Sequence, residues 1–82
     1  MSETEVLDKV EHYIRQRQPQ EFQLNVVRQG VRHEGNWWYV IVQPNPPDIS
    51  ARTYQEVMEE AEEDMDLRKH VNVLLLPNLP GD

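Results

Sequence analysis

The stretch Gly35-Asn36-Trp37-Trp38-Tyr39-Val40-Ile41-Val42 constrains this chain more than any other. It gathers both tryptophans and one of the three tyrosines, and it continues into three consecutive β-branched residues. Such residues suit a pleated strand, and Gly-Asn immediately before them is turn chemistry. Side chains alternate along a strand, so Trp38, Val40 and Val42 share one face, and Trp37, Tyr39 and Ile41 share the other. Both faces are apolar, so both call for cover.

Upstream, Phe22, Leu24 and Val26 alternate with Gln23 and Asn25, the pattern of a strand with one buried face. Val27 breaks the alternation, and an isolated Gly30 is a bulge signal. His33-Glu34-Gly35-Asn36 forms the turn of a hairpin. An odd loop places Phe22, Leu24 and Val26 with Trp38, Val40 and Val42, leaving Val27 with Trp37, Tyr39 and Ile41. A two-residue Glu34-Gly35 loop would swap the faces of the second strand. The odd loop is preferred because it makes one face wholly apolar.

Helices flank this hairpin. Ser2 and Glu5 have the spacing of a capping box, in which each side chain satisfies a free backbone N–H at a helix start. Val6, Leu7, Val10, Tyr13 and Ile14 follow at helical spacing, and Pro19 ends the run, predicting a helix over about 3–17. Pro44-Asn45-Pro46-Pro47-Asp48 breaks regular structure. Thr53 and Glu56 then repeat the capping-box spacing ahead of the stripe Tyr54, Val57, Met58, Ala61 and Met65, predicting a second helix over about 53–66. Val71 to Leu76 reads as a third strand. The expected strands are about 21–31, 37–43 and 71–76, with 77–82 as a flexible tail.

A chain of 82 residues is expected to form one domain. It would bury only roughly 60–65% of its unfolded surface. The order helix, strand, strand, helix, strand predicts an α+β fold. A crossover after the hairpin is expected to set strand 3 beside strand 1, giving a three-stranded antiparallel sheet in the order 2-1-3 with two helices packed on it. On the second sheet face, Val27, Trp37, Tyr39, Ile41, Leu74 and Leu76 form an apolar patch too large for a monomer to leave bare. Either one helix covers each face, or both helices pack on the first face and a partner covers the second. The narrow stripes on both helices favour the two-layer arrangement.

The formal charge is −7. Residues 48–66 carry eight acids and one base, which accounts for the whole excess. This acidity repels nucleic acid and can steer a basic partner.

Catalytic chemistry finds few residues. There is no cysteine, hence no thiolate nucleophile, thiolate metal site or disulfide. His12, His33 and His70 have no metal-ligand spacing, and no phosphate-cradling glycine loop or nucleophile elbow is present. Glu59/Glu63 and Glu62/Asp66 lie four apart on one helix, a pattern more typical of a solvated face than of a cation site. No cofactor, no metal and no enzymatic activity are expected. No apolar run is long enough to span a membrane, and the acidic start lacks a signal-peptide core, which points to a cytoplasmic protein.

Trp37-Trp38-Tyr39-Val40-Ile41-Val42, the proline-containing connector and Thr53 to Glu62 together resemble the strand-to-helix passage of HicB-type antitoxin domains. The resemblance implies an acidic regulator that docks on a basic protein. Three functional expectations follow. The first is a small non-enzymatic module that binds a protein partner through Val27, Trp37, Tyr39, Ile41, Leu74 and Leu76, with a homodimer through that face at high concentration. The second is an antitoxin-like regulator using the acidic face Glu56, Glu59, Glu60 and Glu63. The third is a small nucleic-acid binder stacking bases on Trp37 and Tyr39, which the acidic charge makes the weakest.

Overall fold

A computed structural model describes residues 1–78 of the chain. The elements are α1 (Glu3–Arg17), β1 (Gln23–Glu34), β2 (Trp37–Asn45), α2 (Ala51–Lys69) and β3 (Asn72–Pro77). α1 starts as its residues dictate. The Ser2 hydroxyl accepts from the Glu5 N–H, and the Glu5 carboxylate accepts from the Ser2 N–H, both at 3.2 Å. Two unpaired donors of the helix start are thereby satisfied. The same bonds hold the Glu5 carboxyl below the usual range.

α2 is longer than its pattern predicts at both ends. Its cap is Ser50, whose hydroxyl accepts from the Arg52 N–H at 3.2 Å. Thr53 therefore lies inside the first turn, not at the cap. The expected start at 53 is corrected to Ala51, and the expected end at 66 to Lys69. The helix closes on His70, which adopts the left-handed conformation at φ 56°. From there the His70 N–H reaches Asp66 O and the Val71 N–H reaches Met65 O, both at 3.1 Å.

The sheet order is β1-β2-β3, with β1 antiparallel to β2 and β3 parallel to β2. The expected antiparallel order 2-1-3 is thus corrected: the hairpin's second strand, not its first, is central. Composition explains the choice. β2 carries more apolar side chains than either other strand and gains most from two neighbours. β1 carries Gln23, Asn25, Arg28, Gln29, Arg32 and Glu34. It is also interrupted, because four residues, 28–31, stand opposite Val40 alone, between the Val27–Ile41 and Arg32–Tyr39 pairs. Such an edge is a poor template for another strand. A helical crossover from β2 reaches its other side and delivers β3 parallel to it.

The hairpin closes with a two-residue loop, Gly35-Asn36, between the paired Glu34 and Trp37. Gly35 takes φ 59°, a conformation costly for other residues. The expected odd loop is therefore an even one. Its parity is restored by the three extra residues of the bulge. Leu24 and Val26 consequently face the same side as Val42 and Pro44, and Val27 faces the side of Ile41.

Both helices pack on the first of these sides. Val6, Leu7, Val10, Tyr13 and Ile14 of α1 and Tyr54, Val57, Met58, Ala61 and Met65 of α2 are buried with Leu24, Trp38, Val40, Val42, Val73 and Leu75. α1 lies against β1 and α2, and α2 lies against β3. The shortest dimension is 18 Å, enough for one sheet and one helix layer. Phe22, expected inside strand 1, precedes β1 and packs its ring 6.3 Å from that of Tyr54. Pro77 and Asn78, expected in the tail, belong to the sheet. Pro77 pairs with Val42, and the Asn78 N–H donates to Val42 O at 2.8 Å. Residues 79–82 of the expected tail lie outside the described residues.

Candidate functional site

β2 supplies the spine of the sheet face that carries no helix among the described residues. Trp37, Tyr39 and Ile41 project from it at every second residue. Tyr39 pairs with Leu74 and Ile41 with Leu76 on β3, while Val27 of β1 lies across from Ile41. Directly opposed residues share a face, so the six expected apolar residues are brought together. Trp37 is 45% exposed, Leu74 38% and Leu76 39%. Val27, Tyr39 and Ile41 are half-buried. Gly30, in the bulge, lies directly against Ile41, where an added Cβ would come within 2.7 Å of Ile41 Cδ1. Toward the far end of the hairpin, Gln23, Asn25, Gln43 and Asn45 turn the same face polar.

The expected acidic face is divided. Glu56 and Glu60 lie toward α1, beside Arg17 and Phe22. Glu60 accepts from Arg17 at 2.8 Å. Glu59 and Glu63 lie toward β3, where they line a groove with Glu62, Asp66, Trp37, Asn72, Val73 and Leu74. Four residues read as one face thus serve two sides of the helix.

Two ion-pair arrangements that the pattern did not reveal hold the helices in place. Asp64 is buried, and Arg17 grips it with two bonds, Nε to Oδ2 at 2.7 Å and an η nitrogen to Oδ1 at 2.9 Å. Arg17 holds the Asp64 carboxyl below the usual aspartate range, and Asp64 in turn pushes the Arg17 guanidinium up. A sequence signal existed for this pair. Asp64 falls on the inward stripe of α2, three residues after Ala61 and beside Met65, where a carboxylate needs a partner. On β1, Arg28 donates to Asp8 at 2.6 Å and to Glu11, tying the bulge to α1. Nothing local in the sequence marks that pair.

A third acid was also missed in this role. Glu62 accepts from the Leu75 N–H at 2.7 Å. That N–H points away from β2, toward the edge of β3 that has no strand partner among the described residues. Burial pushes the Glu62 carboxyl up, against the bond from Leu75.

His33 lies over Trp38 with ring centroids 3.8 Å apart and planes within 5°. This stack closes the core beside the turn. Among the described residues no group of three or more histidine, aspartate or glutamate side chains is arranged to hold a metal ion. No helix there is long and apolar enough to cross a membrane. Comparison with protein-family models, with curated proteins and with solved structures finds no match to this chain.

Proposed function

We propose that this protein is a small non-enzymatic interaction module that binds protein through the helix-free face of its sheet. The observation that supports this reading is the position of Trp37, Tyr39, Ile41, Leu74, Leu76 and Val27 on one contiguous surface opposite both helices. Scattered exposed apolar residues are ordinary, but a connected patch with an aromatic spine is characteristic of a contact surface. Aromatic residues are also enriched at the anchoring positions of interfaces.

The nearest candidate to cover the face is a second copy. Three strands about 15 Å wide and 20–30 Å long present roughly 300–450 Å² each, or about 600–900 Å² in a two-fold pair, the size of a weak contact that forms only at high concentration. Base stacking on Trp37 and Tyr39 is the poorer reading, since Trp37 lies beside four carboxylates that repel phosphate.

Sedimentation equilibrium tests the proposal. The wild-type chain should associate as concentration rises, and Leu76→Glu should abolish association without unfolding the chain. Association that is unchanged in Leu76→Glu would place the contact elsewhere.

A further inference from the structure

We propose that the groove between α2 and the free edge of β3 binds a short extended segment of a partner protein in which basic and apolar residues alternate. This inference rests on the interaction-module reading but assigns an adjoining surface, which shares Trp37 and Leu74 with the open face and has its own ligand chemistry.

Two adjoining cavities make the groove. One, of about 340 Å³, is lined by Trp37, Val73 and Leu74 together with Glu59, Glu62, Glu63 and Asp66. The other, of about 330 Å³, is lined by Ala51, Met58, Leu74, Leu75 and Pro77 and shares Glu59 and Glu62. The groove is therefore an apolar floor under a wall of carboxylates, and among the described residues no lysine or arginine lines either cavity. Glu59, Glu63 and Asp66 have no ion-pair partner among the described residues, whereas Glu60 and Asp64 on the opposite side of the helix are held by Arg17. An indole face beside uncompensated carboxylates suits an arginine or lysine side chain, which gains both charge pairing and a cation–π contact.

The backbone supplies the second part of the argument. In a parallel pair, alternate residues of a strand turn their N–H and C=O groups to the same side. Leu75 turns outward, because its N–H goes to Glu62, so Val73 turns outward as well. Pro77 comes next on that edge and has no N–H to offer. Val73 and Leu75 thus form a short open ladder, long enough for a strand of four or five residues. A chain paired there alternates its side chains between the carboxylate wall of α2 and the apolar face of Leu74 and Leu76, which is why its residues must alternate in kind.

Glu62 guards this ladder. Its half-buried carboxylate occupies the Leu75 N–H in the free protein, and an incoming cation would draw it away and leave the N–H for the partner's carbonyl. The same wall disfavours a second copy of this acidic chain at the edge, so the edge selects a basic partner.

Fluorescence anisotropy with labelled synthetic peptides tests the proposal, alongside circular dichroism to show that each variant is folded. Three peptides are compared: alternating arginine and valine, alternating glutamate and valine, and a block peptide with the arginines followed by the valines. The alternating arginine peptide should bind at least tenfold more tightly than either other peptide. It should weaken at least tenfold with Glu59→Gln, Glu63→Gln and Asp66→Asn combined. Equal binding of the block peptide would reduce the contact to bulk charge and overturn the paired strand. Unchanged binding to the combined variant would overturn the groove. A wild-type chain that never self-associates yet binds the alternating peptide would remove the two-fold pairing and leave the groove standing.

Discussion

Truncating the two adjacent tryptophans should have opposite consequences, because one residue of strand separates a core side chain from a surface one. Trp38 is 8% exposed, faces both helices, stacks on His33 and pairs with Val73. Replacing it with alanine removes a buried aromatic and leaves a cavity that the helices cannot fill, at a cost of about 3–5 kcal/mol. A domain of this length is stable by roughly 4–12 kcal/mol, so the change consumes much of the total. Trp37 stands on the open face, and its truncation forfeits only partial burial with no cavity, about 1–2 kcal/mol. Urea unfolding followed by far-ultraviolet circular dichroism separates the two. With a slope of about 1 kcal/mol per molar, Trp38→Ala should lower the midpoint by about 3 M or leave no folded baseline. Trp37→Ala should keep a cooperative transition. A mild Trp38→Ala and an unfolded Trp37→Ala would mean that β2 presents the opposite face to the helices, and the register described above would be wrong.

Three further outcomes follow from particular side chains. The buried Tyr54 hydroxyl has no hydrogen-bond partner among the described residues. Tyr54→Phe should therefore raise stability by about 1 kcal/mol, or Tm by about 4–8 °C in calorimetry, and a lower Tm would show that the hydroxyl is bonded. His70 ends α2 at φ 56°, where glycine is unstrained, so His70→Gly should gain about 0.5–1 kcal/mol in thermal melts, and a loss would place a needed contact on the imidazole. The Asp64 carboxyl is held below its ordinary value of 3.8 by Arg17. The stability it contributes is thus fully present above pH 3.8 and is lost as pH falls through the lowered folded value. Asp64→Asn should lower Tm at neutral pH and flatten the acid side of the Tm–pH profile, and an unchanged acid slope would assign that slope to other carboxylates.

Local patterns in the sequence carried the elements and the two-faced character of β2. They did not carry the partnering of strands. The Ser2–Glu5 box is complete within four residues, and the structure has it. Thr53 and Glu56 mimic the same signal, but Ser50 precedes them and Ala51 already packs on the core, so the helix begins earlier. The open face was legible because Trp37, Tyr39 and Ile41 alternate without interruption, and Val27 joins them through two parities that combine, an even turn and an odd bulge. Gly30 announced a bulge but not its size, since nothing local says that four residues stand opposite Val40 alone. Strand order escaped the pattern for a related reason. It rests on how poorly the interrupted edge of β1 serves a third strand, a comparison between distant segments. The groove along β3 was likewise hidden, since Glu62 and Asp66 gain meaning only once β3 lies beneath α2.

The central claim is that one chain leaves its second sheet face uncovered and that protein contact covers it. Acrylamide quenching of Trp37, isolated by Trp38→Phe, addresses this most directly when followed across protein concentration. At low concentration Trp37 should emit and quench as an exposed indole. As concentration rises, quenching should fall and the emission shift to shorter wavelength, with Leu76→Glu suppressing both changes. A Trp37 that is protected and blue-shifted at every concentration would mean that the chain covers the face itself, and the proposed contact surface would not exist.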